Sequence, residues 1–355
     1  GARNNGGGTT YDGAKIRWVD NADQSPKNGY CTTGEPYGNY IQKLVMPSDT
    51  VSQIPSSDSL EWSVYGNAAT GNTSNGYWAG GLRAPGSPEQ QYVVSVIQKF
   101  VYSTDVGENN PTRYMPEKQW QLSAGSNATH GYFFSGIKQP GNNYNFTQIY
   151  KLTYATDAVS TLPSHMASGA YYSAVTNSPS NAYMCGQDLE QKALKLTFSN
   201  DTNSLLSGVF PLAYTKRTRM AACGNADVGY WGGGMSSPGP SVSNVNKITF
   251  STDTGEASPS PLSNSRYNLS AVSSTDDGYF LGGYPQPSAR VDKTSFATDT
   301  TQFLPSLEPS RFGASGPAQC SQMAAAGPSS DGVDGIVPAP PAETPSPTKS
   351  DFPLP

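Results

Sequence analysis

Charge is scarce in this chain: Asp, Glu, Lys and Arg together make up 14% of 355 residues, and histidine occurs only at His130 and His165. So sparse a complement excludes several classes of function. A formal net charge of −5 without any run of Lys and Arg excludes nucleic acid as a main partner, because phosphate recognition needs clustered cations. Four cysteines are too few for a disulfide scaffold in a chain of this length, and they lack metal-ligand spacing. No apolar run approaches the ~18 residues that cross a bilayer, so no membrane span is expected. Two isolated histidines do not make a copper radical site, which needs paired His with Tyr and Cys. Glu108, Asp276 and Asp277 read as solvated turn charge rather than as a hydrolytic carboxylate pair. The expectation is a protein that is not an enzyme and holds no metal and no cofactor.

Glycine (37) and proline (29), by contrast, are abundant, which points to an all-β chain with many turns. A repeated word organises it. A lysine precedes an aspartate by six positions at Lys43 and Asp49, Lys99 and Asp105, Lys151 and Asp157, Lys195 and Asp201, Lys247 and Asp253, and Lys293 and Asp299. Three residues after the lysine stands an aromatic side chain (Tyr102, Tyr154, Phe198, Phe250, Phe296), with Met46 as the one exception. A second word, Gly-Tyr-x-x-Gly-Gly in type, begins at Gly29, Gly76, Gly131, Ala182, Gly229 and Gly278. The repeat length of roughly 45 to 55 residues marks a propeller, a solenoid or an array.

Each repeat divides into four strands: an a strand, the Gly-Tyr b strand, the lysine-led c strand and a short d strand after Asp-Thr. Strand side chains alternate, so Leu152 and Tyr154 form a packing face while Lys151 and Thr153 lie on the other. Sheets of this kind cannot cover both faces alone, and radial closure covers them. Six b and c pairs predict a six-bladed β-propeller of four-stranded antiparallel blades over residues 14–320. The alternative is seven blades, with Met323 to Gly327 as a degenerate b strand. Lys15 to Val19 is expected as the first a strand, and Arg311 to Gly316 as a surplus strand that helps closure. Residues 1–13 read as a glycine-rich arm, and 321–355 as a Pro/Ala/Ser-rich extended tail.

The six lysines are each expected to pair with a carboxylate or carbonyl inside their own blade, and the six aspartates to shape the c-to-d turn by accepting backbone N–H about two residues on. Long b-to-c loops on one face are the expected binding surface, with Tyr92 and Tyr144 as stacking candidates. In a closed ring Cys31 and Cys320 come together as a possible seam staple, with Cys185 and Cys223 as the second candidate pair; four buried free thiols is the other reading. Sequons stand at Asn72, Asn127, Asn145, Asn200 and Asn268, a number that composition alone supplies, and of these Asn72, Asn127 and Asn145 fall in polar turns or loops suited to a glycan. Thr344, Ser346 and Thr348 resemble O-glycosylated stalk sequence.

The Gly-Tyr-x-x-Gly-Gly strand followed by Lys-x-x-aromatic-Ser-Thr-Asp-Thr resembles kelch-like propeller repeats, over roughly Lys15 to Gly316. It is similar to divergent forms in structural and appendage proteins of aquatic phages and in secreted proteins of aquatic microbes. The tryptophan of true kelch repeats is absent from the c strands. The resemblance implies a binding or structural role and carries over no catalytic residue. The chain begins at Gly1 without an initiator Met, which a removed signal peptide or pro-segment would explain. The resulting expectation is a secreted or extracellular structural subunit of a filament, joined to copies of itself through arm and tail and bearing glycans. The alternative is a carbohydrate- or receptor-binding propeller of a virion or cell surface.

Overall fold

The structure, a computed structural model, describes residues 10–11, 14–15 and 28–305, apart from loop segments 33–40, 47, 63, 84–91, 109–110, 142, 145, 187–188, 190–191, 210–216, 237–238 and 286–289. The chain divides into two compact units, one formed by Gly1–Gln24 with Asp331–Pro355 and the other by Ser25–Ser330. In the first unit, Thr10–Tyr11 pairs antiparallel with Ala14–Lys15. Asp12-Gly13 lies between them, one of the dipeptides favoured for two-residue hairpins. Lys15 thus belongs to this hairpin and not to a blade strand, which corrects that part of the expected first a strand; Ile16 to Val19 lie outside the described residues.

The second unit is a six-bladed β-propeller, with no α-helix among its described residues. Blade 1 shows Asn28–Thr32, Ile41–Val45 and Thr50–Gln53, which are strands b, c and d. Blade 2 has Ala68–Gly71, Asn75–Ala79, Val96–Val101 and Val106–Gly107, with Arg113–Tyr114 added beside its c strand. Blade 3 has Ser123–Ser126, His130–Phe134, Ile149–Thr153 and Ala158–Thr161. Blade 4 has Ala174–Asn177, Asn181–Cys185, Ala193–Thr197 and Thr202–Leu206. Blade 5 has Ala221–Gly224, Val228–Gly232, Val245–Thr249 and Thr254–Ala257. Blade 6 has Ser270–Ser273, Asp277–Leu281, Val291–Ser295 and Thr300–Phe303. Neighbouring a strands approach one another around the ring axis. The surplus strand at Arg311 to Gly316 and the candidate seventh-blade strand at Met323 both lie outside the described residues.

Burial follows strand position. The b strands are covered on both faces because each sheet is packed between two neighbours, which is why Tyr132, Phe133 and Phe134 in succession are all buried. In the c strand Leu152 and Tyr154 are buried while Lys151 is half-buried, as alternation requires. The d strands carry Thr, Ser and Gln on the outer rim, where a polar edge resists pairing with other chains. Tyr279, Leu281 and Val291 of blade 6 share one core cluster with Tyr30, Ile41 and Met46 of blade 1, so the last blade packs on the first.

The glycines of the b strand mark where neighbouring blades touch. A Cβ on Gly131 would meet Thr70 Cγ2 at 2.5 Å, one on Gly229 would meet Thr176 Cγ2 at 2.4 Å, and one on Gly278 would meet Cys223 Sγ at 2.3 Å. In each case the opposing residue is the third of the preceding blade's a strand. Blade 4 departs from the motif with Ala182, and there the opposing residue is itself a glycine, Gly125, whose added Cβ would lie 3.2 Å from that of Ala182. The exception therefore keeps the volume of the contact. The diglycine that ends the b strand takes positive φ at both residues in blades 2, 5 and 6, as at Gly233 (+64°) and Gly234 (+101°), and the N–H of Gly234 bonds Arg266 O in the connection to the next blade.

Candidate functional site

The recurrent lysines and aspartates are the first candidates, and the structure gives them a role between blades. Lys43 bonds Asp105, Lys99 bonds Asp157, Lys151 bonds Asp201, Lys195 bonds Asp253 and Lys247 bonds Asp299, each reaching the next blade, while Lys293 returns to Asp49 of blade 1 and closes the circle. The expected pairing within one blade holds only in part: Lys99 also meets Glu108 (3.7 Å), Lys247 Glu256 (3.9 Å) and Lys293 Asp277 (3.3 Å) in their own blades, but the bond common to all six crosses to the next blade. The b-strand tyrosine of the same blade donates to the same carboxylate: Tyr30 to Asp105, Tyr77 to Asp157, Tyr132 to Asp201, Tyr183 to Asp253, Tyr230 to Asp299 and Tyr279 to Asp49. These tyrosines stack on the aromatic residue that precedes the aspartate, as for Tyr183 on Phe250 (4.8 Å, 20°). Where Met46 replaces that ring, Tyr279 also donates to Met46 O at 3.1 Å.

All six aspartates have φ between 50° and 56°, so they do shape the turn. Their carboxylates, however, are turned to the neighbouring blade and not to the backbone N–H two residues on, which corrects the expected turn bond. The six phenols are pushed above the ordinary tyrosine range by burial and then by the aspartate, so they stay protonated donors. At Asp157 burial acts against ionisation, yet hydrogen bonds from Arg113, Tyr77 and Lys99 outweigh it and hold the carboxyl below its usual range. With each of its six lysines and six b-strand tyrosines bonded to an aspartate, this girdle is a joint between blades.

The opposite end of the ring is different. There the b-to-c loops and the connections into the a strands meet, as where Ile137–Gln139 pairs with Lys118–Trp120 and Met235–Ser236 with Arg217–Thr218. Two residues ahead of successive a strands, Gly66, Gln121, Tyr172, Arg219 and Asn268 all take positive φ, between 54° and 65°. Their backbones are linked in sequence: Gln121 N to Gly66 O, Tyr172 N to Gln121 O (3.2 Å), Arg219 N to Tyr172 O (2.8 Å) and Asn268 N to Arg219 O (2.9 Å). The result is a chain of hydrogen bonds around the mouth of the ring across blades 2 to 6.

Aromatic side chains collect at this collar. The Arg219 guanidinium lies 4.1 Å from the Tyr172 ring and 5.5 Å from the Tyr267 ring. Tyr267 meets Tyr284 edge-on at 5.2 Å, and on the other side Tyr172 meets Tyr171 (5.4 Å), which meets Tyr144 (5.3 Å). Burial pushes the Tyr267 phenol upward against the pull of Arg219. Several amide atoms here lack partners: Oε1 of Gln121, and Oδ1 and Nδ2 of Asn268, both residues being 3% exposed. Each such buried group costs about 1–3 kcal/mol unless something satisfies it.

Of the two predicted stacking tyrosines, Tyr144 (47% exposed) joins this collar. Tyr92 (44% exposed) sits in a separate cluster, accepting a 2.9 Å hydrogen bond from Arg83, whose guanidinium covers Trp62 at 4.4 Å. Tyr171, Tyr172, Arg219 and Tyr267 were not marked by any motif. Aligning the repeats on the a strand instead of on the Lys and Gly-Tyr words would have put Gln121, Tyr172, Arg219 and Asn268 in one column.

The cysteine and sequon expectations divide. Cys185 and Cys223 are buried free thiols, so the second candidate pair does not form. Their side chains enter different layers, Cys185 packing with Met220 and Trp231 and Cys223 with Tyr230 and Phe280. Burial pushes both thiols up. Cys320 lies outside the described residues, as do Asn145, Thr344, Ser346 and Thr348. Asn72 and Asn127 hold their a-to-b turns by accepting backbone N–H, from Ser74 and Asn75 and from Thr129 and His130. Asn200 does the same for Thr202. Ser178 and Asn225 make the equivalent turn bonds in blades 4 and 5, so turn chemistry alone accounts for such residues there. Asn268 is buried in the collar and is corrected as a glycan site. Site-resolved glycopeptide mass spectrometry on native protein is expected to find its Asn268 peptide unmodified; an occupied Asn268 would contradict this placement.

Among the described residues no group of three His, Cys, Asp or Glu has metal-site geometry. His130 is held below its ordinary range by burial and then by Lys151, and its Nδ1 meets Thr129 Oγ1 at 2.8 Å. Among the described residues no helix is long and apolar enough to cross a membrane. Fold and site together define a six-bladed β-propeller with a clamped far face and an aromatic mouth. No protein-family model matches the chain, and no curated protein matches it.

Proposed function

We propose that this protein is a non-enzymatic, kelch-like structural subunit of an extracellular filament or appendage, which assembles with copies of itself through its terminal arm and tail and presents its loops and glycans outward. The observation that supports this reading is that every blade joint of the ring is closed by its own Lys, Asp and Tyr, down to Lys293 and Asp49 between the last blade and the first. A ring so joined has no need of the proline-rich end for its own packing, which leaves that end for contacts between subunits. Deletion of residues 325–355 is expected to leave a folded monomer with an unchanged thermal transition and no filaments by electron microscopy. Filaments that form as before would sink the reading.

A second reading, a carbohydrate-binding propeller of a virion or cell surface, is favoured by the exposed rings of Tyr92 and Tyr144 on the b-to-c loop face. Shortening 82–97 tests the Tyr92 cluster: glycan-array signals that survive the change assign the binding elsewhere.

A further inference from the structure

We infer that the collar at the mouth of the ring is a binding site for an acidic saccharide, with Arg219 as the carboxylate anchor between Tyr172 and Tyr267. The inference rests on the carbohydrate-binding reading and narrows it to one place and one class of sugar. Three observations converge. First, among the described residues the Arg219 guanidinium meets no carboxylate and donates no side-chain hydrogen bond, although it sits over two rings. A guanidinium seated over rings and bonded to no carboxylate has N–H donors left for a bidentate partner, and a carboxylate matches that fork.

Second, Gln121 and Asn268 occupy seats in the same backbone chain as Arg219 and carry buried amide atoms without partners. Gln121 keeps only its Oε1 unpaired, since its Nε2 donates to Tyr172 Oη, while Asn268 keeps both a donor and an acceptor, and these match sugar hydroxyls. Third, Tyr144, Tyr171 and Tyr284 extend the ring surface to either side. Alternating aromatic faces and amide groups suit a pyranose, which has apolar C–H faces and a polar rim. The chain as a whole carries a net charge of −5, so selection for an anion has to come from this local cation and not from the overall field. The Lys and Asp girdle at the far face offers no comparable group, since all six lysines there are bound.

The test uses the full chain with trigalacturonic acid and the neutral galactotriose as probes, read by titration calorimetry and by perturbation of tyrosine fluorescence. Trigalacturonic acid is expected to bind at least tenfold tighter than galactotriose, and raising salt from 0.05 to 0.5 M is expected to reduce that margin. Arg219→Met should erase the margin while leaving the thermal transition in place. Arg219→Lys, which keeps the charge and loses the planar fork, should weaken the acidic trimer severalfold and serves if the Met variant fails to fold. Equal affinity for the two trimers, or an unchanged margin in folded Arg219→Met or Arg219→Lys, overturns the inference while carbohydrate binding itself stands. Absence of binding to either trimer overturns both the inference and the reading beneath it. Acidic-trimer binding lost instead on shortening 82–97, with Arg219 intact, places the site at Tyr92 and refutes the collar.

Discussion

Gly278→Ala is expected to destabilise the propeller by about 1–3 kcal/mol, and a second change, Cys223→Ala, is expected to restore most of that loss. The added Cβ would stand 2.3 Å from Cys223 Sγ and 3.0 Å from the Phe296 ring. Neither strand can retreat, because Gly278 is paired on one side with Ser273 and on the other with Thr294. Cys223→Ala alone removes one buried sulfur and should cost about 1 kcal/mol. The double variant is therefore predicted to be more stable than the sum of the single changes by about 1–2 kcal/mol in urea unfolding. Simple additivity would show that the glycine serves something other than the contact between blades. The natural pair of Gly125 opposite Ala182 is the same exchange already made in blades 3 and 4.

Asp157→Asn should lower stability by about 2 kcal/mol near neutral pH, less than the ~3–5 for breaking a fully buried pair because the Asp157 side chain remains 23% exposed. Three donors meet this carboxylate, Tyr77 Oη at 2.8 Å, Lys99 Nζ at 3.0 Å and Arg113 Nη2 at 2.7 Å, which makes it the most heavily bonded member of the girdle. Its pKa is held down in the fold. A depressed carboxyl contributes stability above its unfolded value of about 3.9 and loses it as pH falls through the folded value. The gap between wild type and Asp157→Asn should thus be largest above about pH 5 and close as the pH falls through the lowered folded value. A gap that stays constant down to pH 2 would show the effect to be one of shape and not of charge. At the alkaline end the sign reverses. For Lys293 burial is outweighed by Asp49 and Asp277, which raise its pKa, so its contribution is complete below about 10.4 and declines as pH rises through the raised value.

Repeat and fold were legible because a blade is a local object. Lys151, Leu152 and Tyr154 alternate on one strand, and an alternating strand with a turn at Asp157 can be recognised from the sequence alone. The partners of these residues were not legible. Lys151 lies six residues from Asp157 in the chain, yet its bond is to Asp201, the copy one repeat further on. Identical words in every repeat cannot reveal which copy meets which; that depends on the angle between neighbouring sheets. The collar escaped for a related reason. Gln121, Tyr172, Arg219 and Asn268 share a backbone conformation and a place, but not a residue type, so no motif joins them.

What the sequence by itself determined was the propeller repeat with six blades favoured over seven, the order of strands within a blade, and the alternation that buries Leu152 and leaves Lys151 at the margin. Only the tertiary structure decided that lysine, tyrosine and aspartate clamp consecutive blades, that Lys293 and Asp49 join the last blade to the first, and that Arg219 is left between two tyrosines at the mouth. Strand patterns follow from short-range sterics and burial, which act over a few residues. Contacts between blades join residues some fifty positions apart, and they exist only once the ring has closed.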